Sequence, residues 1–202
     1  MSLVYIVKKD NSFDIQKAKS LVEQICGFEL TDEKILCENN HKAALYKTNH
    51  EDAHERVKKA VEDNSFDFDV WANTSFPTLK KNGQICLDMD MTSVQIEGID
   101  EIARRLGVFD KVAEITSQAM HGGLDFATSL TKRVSMLKDG DATVIEDVKT
   151  IMKETDGLDY LMKTASDNGF YKAICSGGFE QLICVLEKKY NLDAVYANSL
   201  EI

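Results

Sequence analysis

The 202-residue chain is short of proline, paired cysteines, positive charge and long apolar runs, and each shortage removes a class of protein. Pro77 is its single proline, which rules out collagen-like and proline-rich architectures and leaves helices and strands free to run uninterrupted. The five cysteines, Cys26, Cys37, Cys86, Cys175 and Cys184, form no CxxC pair, and His41, His50, His54 and His121 share no zinc spacing with them. They read as reduced thiols packed in the core of a cytoplasmic protein. Lys and Arg number 24 against 34 Asp and Glu, and the net charge of -10 repels phosphate backbones and anionic lipid. Nucleic acid and membrane are therefore excluded as expected partners. No stretch approaches the roughly 18 to 20 apolar residues of a membrane span, and Lys8, Lys9, Asp10 and Asp14 break up the amino terminus, so no signal peptide is read there.

What is present is an apolar content of 44%, enough for one large core or two small ones. Leu3 to Lys8 alternates as a strand, Phe13 to Phe28 has helical period, and 34–38 and 43–47 read as strands around a turn at Asn39, Asn40 and His41. A helix over 52–60 follows, then a strand in which Phe66, Phe68 and Val70 alternate with Asp67, Asp69 and Trp71. The order β-α-β-β-α-β predicts a ferredoxin-like α+β domain over 1–76, with a linker at 77–83 carrying Pro77 and Asn82-Gly83. The remaining 84–202 predicts an α/β unit. A buried strand at 84–87 ends at acidic Asp88 and Asp90, a helical insertion covers about 98–155, and a helix at 158–168 leads to a strand at 171–175. A Ser176-Gly177-Gly178 turn, a helix through Tyr190 and a strand near 194–198 complete it.

Asp88 and Asp90 lie two apart, so on extended chain both carboxylates face one side, where they suit a magnesium ion and a division of labour between nucleophile and proton carrier. Ser176-Gly177-Gly178 precedes a helix start, which offers a hydroxyl and free N–H groups to a phosphate. In open α/β sheets, ligands collect at such strand ends.

Taken in order, Asp88-Met89-Asp90-Met91-Thr92, Gln95-Ile96-Glu97, Ala119-Met120-His121-Gly122, Leu124-Asp125-Phe126, Ser129 to Val134 and Ser176-Gly177-Gly178-Phe179 resemble the phosphoserine phosphatases of the haloacid dehalogenase (HAD) superfamily. The resemblance implies a HAD-like Rossmannoid parallel sheet with a helical-bundle cap, preceded by a domain that looks like an amino-acid-binding (ACT-like) regulatory fold. It implies a magnesium-dependent enzyme of cytoplasmic serine biosynthesis, acting on O-phosphoserine through an aspartyl phosphate. Asp88 would be the nucleophile and a metal ligand. Asp90 would exchange the proton and offer its carbonyl to the metal. Ser176, Gly177 and Gly178 would hold phosphate, Glu97 the ammonium and Arg133 the carboxylate of the substrate. Met120 and Phe126 would wall the site and Gly122 would leave it room.

Two departures accompany the resemblance. Met91 stands where the family usually has serine, and the family continues past 194–198 with a catalytic lysine and a Gly-Asp motif that completes the metal site. This chain stops at Ile202, and its Gly140-Asp141 lies in the helical insertion. The expectation is therefore a chain lacking the carboxyl-terminal part of the HAD core and nearly inert by itself, with a homodimer partner or the remainder of the same enzyme as assembly partners. The alternatives are a related HAD phosphatase or phosphotransferase on another small phosphoester, and a non-catalytic amino-acid-binding module.

Overall fold

The computed structural model describes residues 1–38, 40–75, 79 and 83–202. Asn39, Pro77 and Asn82, and with them most of the expected linker, lie outside the described residues. The chain divides into two compact units, Met1–Thr78 and Leu79–Ile202.

The first unit runs β1 (Ser2–Lys8), α1 (Ile15–Cys26), β2 (Thr31–Glu38), β3 (His41–Thr48), α2 (Ala53–Asp63) and β4 (Asp69–Asn73). Its sheet has the order β2-β3-β1-β4 with every neighbour antiparallel, the arrangement of a split β-α-β unit. Alternation sends Val4 and Ile6 of β1 inward, where they meet Ala18 and Val22 of α1 and Val57 of α2 in one cluster. Helix α1 is shorter than its apolar period because both ends are fixed chemically. The Asp14 carboxylate accepts from the Lys17 N–H, and Gly27, at φ 68°, turns the chain left-handed while its N–H bonds to the Glu23 carbonyl. Phe13 and Phe28 are buried, but as flanks of the helix. Strand β4 likewise begins later than the alternation suggested. Phe66 and Phe68 precede it as an aromatic cluster, with Phe68 5.1 Å from Phe66 and 5.5 Å from Phe13.

The second unit contains β5 (Gln84–Leu87), α3 (Gly98–Arg105), α4 (Phe109–Met120), α5 (Phe126–Ser135), α6 (Thr143–Ile151), α7 (Leu158–Asp167), β6 (Tyr171–Phe179), α8 (Glu180–Tyr190) and β7 (Ala194–Asn198). The three strands lie in the order β5-β6-β7, all parallel. Ile174 of β6, Leu182 and Leu186 of α8 and Met162 of α7 bury one face of the sheet, and Ile102 and Val148 extend that core into the inserted helices. The insertion leaves and rejoins the sheet unit at adjacent points. Val94 bridges Glu154, the Gln95 N–H bonds to the Lys153 carbonyl, and the Thr155 N–H bonds to the Ser93 carbonyl.

Two expectations need correction. Ser176-Gly177-Gly178 is not a separate turn: β6 continues to Phe179, with its register to β7 breaking between Cys175 and Phe179, and α8 starts at once. The cysteines are not mainly core residues either, because only Cys26 is buried while Cys37, Cys86 and Cys175 are exposed. Short apolar runs on strands with one open face put alternate residues outward, which composition alone does not reveal.

Candidate active site

Strand β5 delivers Asp88 at its carboxyl end, and the chain then folds into a tight turn over Met89–Ser93. Three bonds hold the turn. The Ser93 hydroxyl donates to the Asp88 carbonyl at 2.6 Å, the Val94 N–H reaches the Met89 carbonyl, and the Asp88 carboxylate accepts from the Met89 N–H at 2.7 Å. Met89 is wholly buried and anchors the turn in the core, whereas Met91 is exposed and takes φ 52°, a left-handed conformation that non-glycine residues adopt rarely. The consequence is that Asp88 and Asp90 both reach the same small cavity.

That cavity, of about 200 Å³, is lined by Asp88, Asp90, Glu97, Ile99, Phe126, Leu130, Arg133, Ser176, Gly177, Gly178 and Phe179. Asp90 is held in place by the Gly98 N–H, which donates to its Oδ1 at 2.8 Å from the start of α3. On the other side, Gly178 packs directly on the carboxylate. A Cβ there would lie 2.5 Å from Asp90 Oδ2 and 3.3 Å from Ser176 Oγ, and one on Gly177 would lie 2.9 Å from the Phe126 ring. Neither glycine has a positive φ, so close approach rather than turn geometry requires them. The Ser176 hydroxyl accepts from the Gly178 N–H at 3.0 Å. Asn198 of β7 clamps the segment from behind, donating to the Gly177 carbonyl at 2.8 Å.

The electrostatics of the cavity are unbalanced. Three carboxylates face one cation, Arg133, among the described lining residues. Burial, with repulsion from Asp88 and Asp100, raises the Asp90 carboxyl above its ordinary range, against the Gly98 N–H bond that pulls it down. Burial and the charges of Asp90 and Asp100 push Glu97 up to about 7. Asp100 is also raised by burial, partly offset by Arg104 and Arg133. Asp100 Oδ1 and Arg133 Nε are buried without a hydrogen-bond partner among the described residues, an unfavourable state that a polar ligand would relieve.

Of the residues singled out from sequence, Asp88, Asp90, Glu97, Phe126, Arg133, Ser176, Gly177 and Gly178 surround this one cavity. Met120 and Gly122 are not among its lining residues. Met120 is 83% exposed at the end of α4, and Gly122, at φ 79° with open space where a Cβ would be, serves the backbone turn that follows. Sequence reasoning missed Ile99, Leu130 and Asn198. Ile99 sits beside the singled-out Glu97, but nothing in the sequence marks Asn198 as the neighbour of Gly177. For a metal, the described residues contain no group of three or more His, Cys, Asp or Glu side chains arranged to hold one. The oxygen donors of Asp88 and Asp90 nonetheless fit a hard divalent cation in kind, and their excess negative charge favours one.

No family model matches the chain. A phosphoserine phosphatase of Vibrio cholerae is 42% identical over 149 residues, 74% of this chain and 44% of that protein. Among solved structures, a HAD family hydrolase of Salmonella enterica serovar Typhi aligns with all of this chain and 69% of its own, with a TM-score of 0.83 at 28% identity. A phosphoserine phosphatase described as a phospho-aspartyl intermediate analogue covers 61% of this chain and 59% of its own, with a TM-score of 0.56 at 40% identity. The chain spans 44% of the length of that Vibrio cholerae relative, and 57% and 29% of the phosphoserine phosphatases of Methanocaldococcus jannaschii and Streptomyces coelicolor. Among the described residues, no helix is long and apolar enough to cross a membrane.

Proposed function

The chain belongs to the phosphoserine phosphatase family of the HAD superfamily, and from that premise we propose that it hydrolyses O-phospho-L-serine to L-serine and phosphate with magnesium as cofactor. The observation that carries this reading is the packing of Gly178 against both Asp90 Oδ2 and Ser176 Oγ, which puts the acids at the end of β5 and the hydroxyl and N–H groups at the end of β6 around one cavity.

In this reading an Asp88 oxygen attacks phosphorus while the bond from phosphorus to the serine oxygen breaks, leaving an aspartyl phosphate. Asp90 donates its proton to the departing oxygen, a role its raised proton affinity suits. Asp90 then takes a proton from water as that water attacks the same phosphorus, which frees phosphate and restores the Asp88 carboxylate. Ser176 and the N–H groups of Gly177 and Gly178 present fixed dipoles to the equatorial oxygens. The Gly178 N–H, bonded to Ser176 Oγ, exchanges that partner for phosphate. The Asp88 carboxylate and the Asp90 carbonyl would hold magnesium, which when bound supplies positive charge against the phosphate. Glu97 faces the substrate ammonium, whose charge draws it into the ionised form. Arg133 faces the carboxylate, with its unpartnered Nε free to donate. Phe126, 63% exposed, is the apolar wall placed to lose water when substrate binds.

Phosphate release from O-phosphoserine, phosphohomoserine and a sugar phosphate, each with magnesium, tests the assignment. Clear preference for O-phosphoserine supports it, and equal or greater turnover of another ester overturns it.

A further inference from the structure

Beyond the phosphatase reading, the sheet of the second unit carries a pair of thiols that the proposed chemistry does not use. Cys86 of β5 and Cys175 of β6 bring their sulfurs within 3.2 Å of each other, one thiol donating to the other. The topology explains the encounter. Leu87 and Ile174 point into the core, so their neighbours Cys86 and Cys175 point to the opposite face. Cys86 is in register with Ala173, and Cys175 lies two residues further along β6 on that same face. Ala173 offers only a methyl group, so the two side chains lean over it and meet. Both cysteines are exposed.

We propose that Cys86 and Cys175 form a dithiol site that a single soft, thiophilic centre of the trivalent arsenical class closes by bonding both sulfurs. Two sulfurs held side by side favour one bidentate acceptor, since the second bond forms within one molecule at high effective concentration. The reaction balances without a change of oxidation state. An organoarsenic oxide and two thiols give an arsenic atom bonded to both sulfurs and one water; two arsenic–sulfur bonds form, the arsenic–oxygen bond and both S–H bonds break, and the thiol protons leave in the water. Cys175 directly precedes Ser176 and Cys86 lies two residues before Asp88, so the bridge would fasten β5 to β6 just upstream of the phosphate-side cavity.

The test needs no catalytic activity. The reduced full chain is treated with phenylarsine oxide and weighed intact. The expected result is one arsenic per chain, with the added mass of a phenylarsenic group less two hydrogens. Of the five cysteines, the two bridged ones become unreactive, leaving three for thiol titration in denaturant. A 1,2-dithiol should release the arsenic, and an equal concentration of a monothiol should not. Cys86→Ser and Cys175→Ser should each weaken retention by at least about 10²-fold, because one sulfur loses the chelate. Cys37→Ser should retain it unchanged. Far-ultraviolet circular dichroism confirms that each exposed-site variant folds. No arsenic on the folded wild type, one arsenic per two chains, or dithiol-reversible loading that survives Cys86→Ser would each overturn the proposal.

Discussion

The surface acids of the first unit and the acids in and beside the cavity of the second live under opposite conditions. In the first unit Asp10, Asp52 and Asp67 lie at the surface, and each is held below its ordinary value by a partner: the Ser12 hydroxyl and N–H, the Arg56 guanidinium and the Lys8 ammonium. In the second unit Asp90 and Glu97, which line the cavity, and Asp100, two residues past Gly98 on α3, are raised, each chiefly by burial. Surface acids that find partners are comfortable and contribute little individually. Acids crowded together out of water are not, and a fold keeps such a group only where something else, here the proposed substrate and its metal, offsets the unfavourable state. The contrast separates acids that serve the fold from acids that serve chemistry, and it can be attacked one residue at a time.

The strongest attack is on the nucleophile. Asp88→Asn should lower phosphate release by at least ~10³-fold while leaving thermal stability nearly unchanged, since Asp88 is exposed and its bond to the Met89 N–H can be kept by the amide oxygen. Retention of more than a few per cent of wild-type turnover would remove Asp88 from that role. Next is Gly178→Ala. Its Cβ would meet Asp90 Oδ2 at 2.5 Å, so the carboxylate or the strand must move, and we expect about 10²-fold less turnover with about 1 to 3 kcal/mol less stability by urea unfolding. Unchanged kinetics would mean that the packing of Gly178 on Asp90 does not matter.

Smaller effects should follow from Glu97→Gln. A carboxyl whose folded value, about 7, lies above its unfolded value of 4.5 binds its proton more readily in the folded chain. The stability linked to it is therefore full below pH 4.5 and is lost as pH rises through about 7. After allowance for solvent screening, Glu97→Gln should be more stable than wild type by about 1 kcal/mol at pH 8 and no more stable at pH 4.5. The same variant should raise KM for O-phosphoserine. A stability gain independent of pH would contradict the burial argument. The smallest effect is expected in the first unit, where the Tyr46 hydroxyl donates to Glu33. Tyr46→Phe should remove about 1 kcal/mol from that unit and leave KM and kcat where they were. A shift in KM would show that the two regions are not energetically separate.

Much of this was legible in the sequence, for reasons that differ between the units. Alternation over Leu3 to Lys8 and the helical period from Ile15 to Cys26 translate directly into β1 and α1, because each element buries one face against the same core. The ends of α1 and the late start of β4 were harder, since Phe13, Phe28, Phe66 and Phe68 are apolar for the sake of the core while lying outside the regular elements. In the second unit the ordered motifs marked most of the cavity, because acids and glycines at strand ends have few other uses. Met120 illustrates the limit. An apolar residue on an amphipathic helix gives no sign, in one dimension, of whether it faces a cavity or water, and this one faces water. The meeting of Cys86 and Cys175 was beyond reach without the register of β5 on β6.

The paired backbone at Ser93, Val94 and Gln95 with Lys153, Glu154 and Thr155 has a consequence for how such a scaffold can be altered. The chain passes from the strand unit into the intervening helices and back through one narrow neck, whose two sides are already stitched to one another. Whatever is spliced between 95 and 153, longer or shorter, helical or not, would emerge and return at the same spot. The neck thus makes the more distant of those helices an exchangeable part, through which substrate preference could be rebuilt as long as the start of α3, whose Gly98 N–H holds Asp90, is kept.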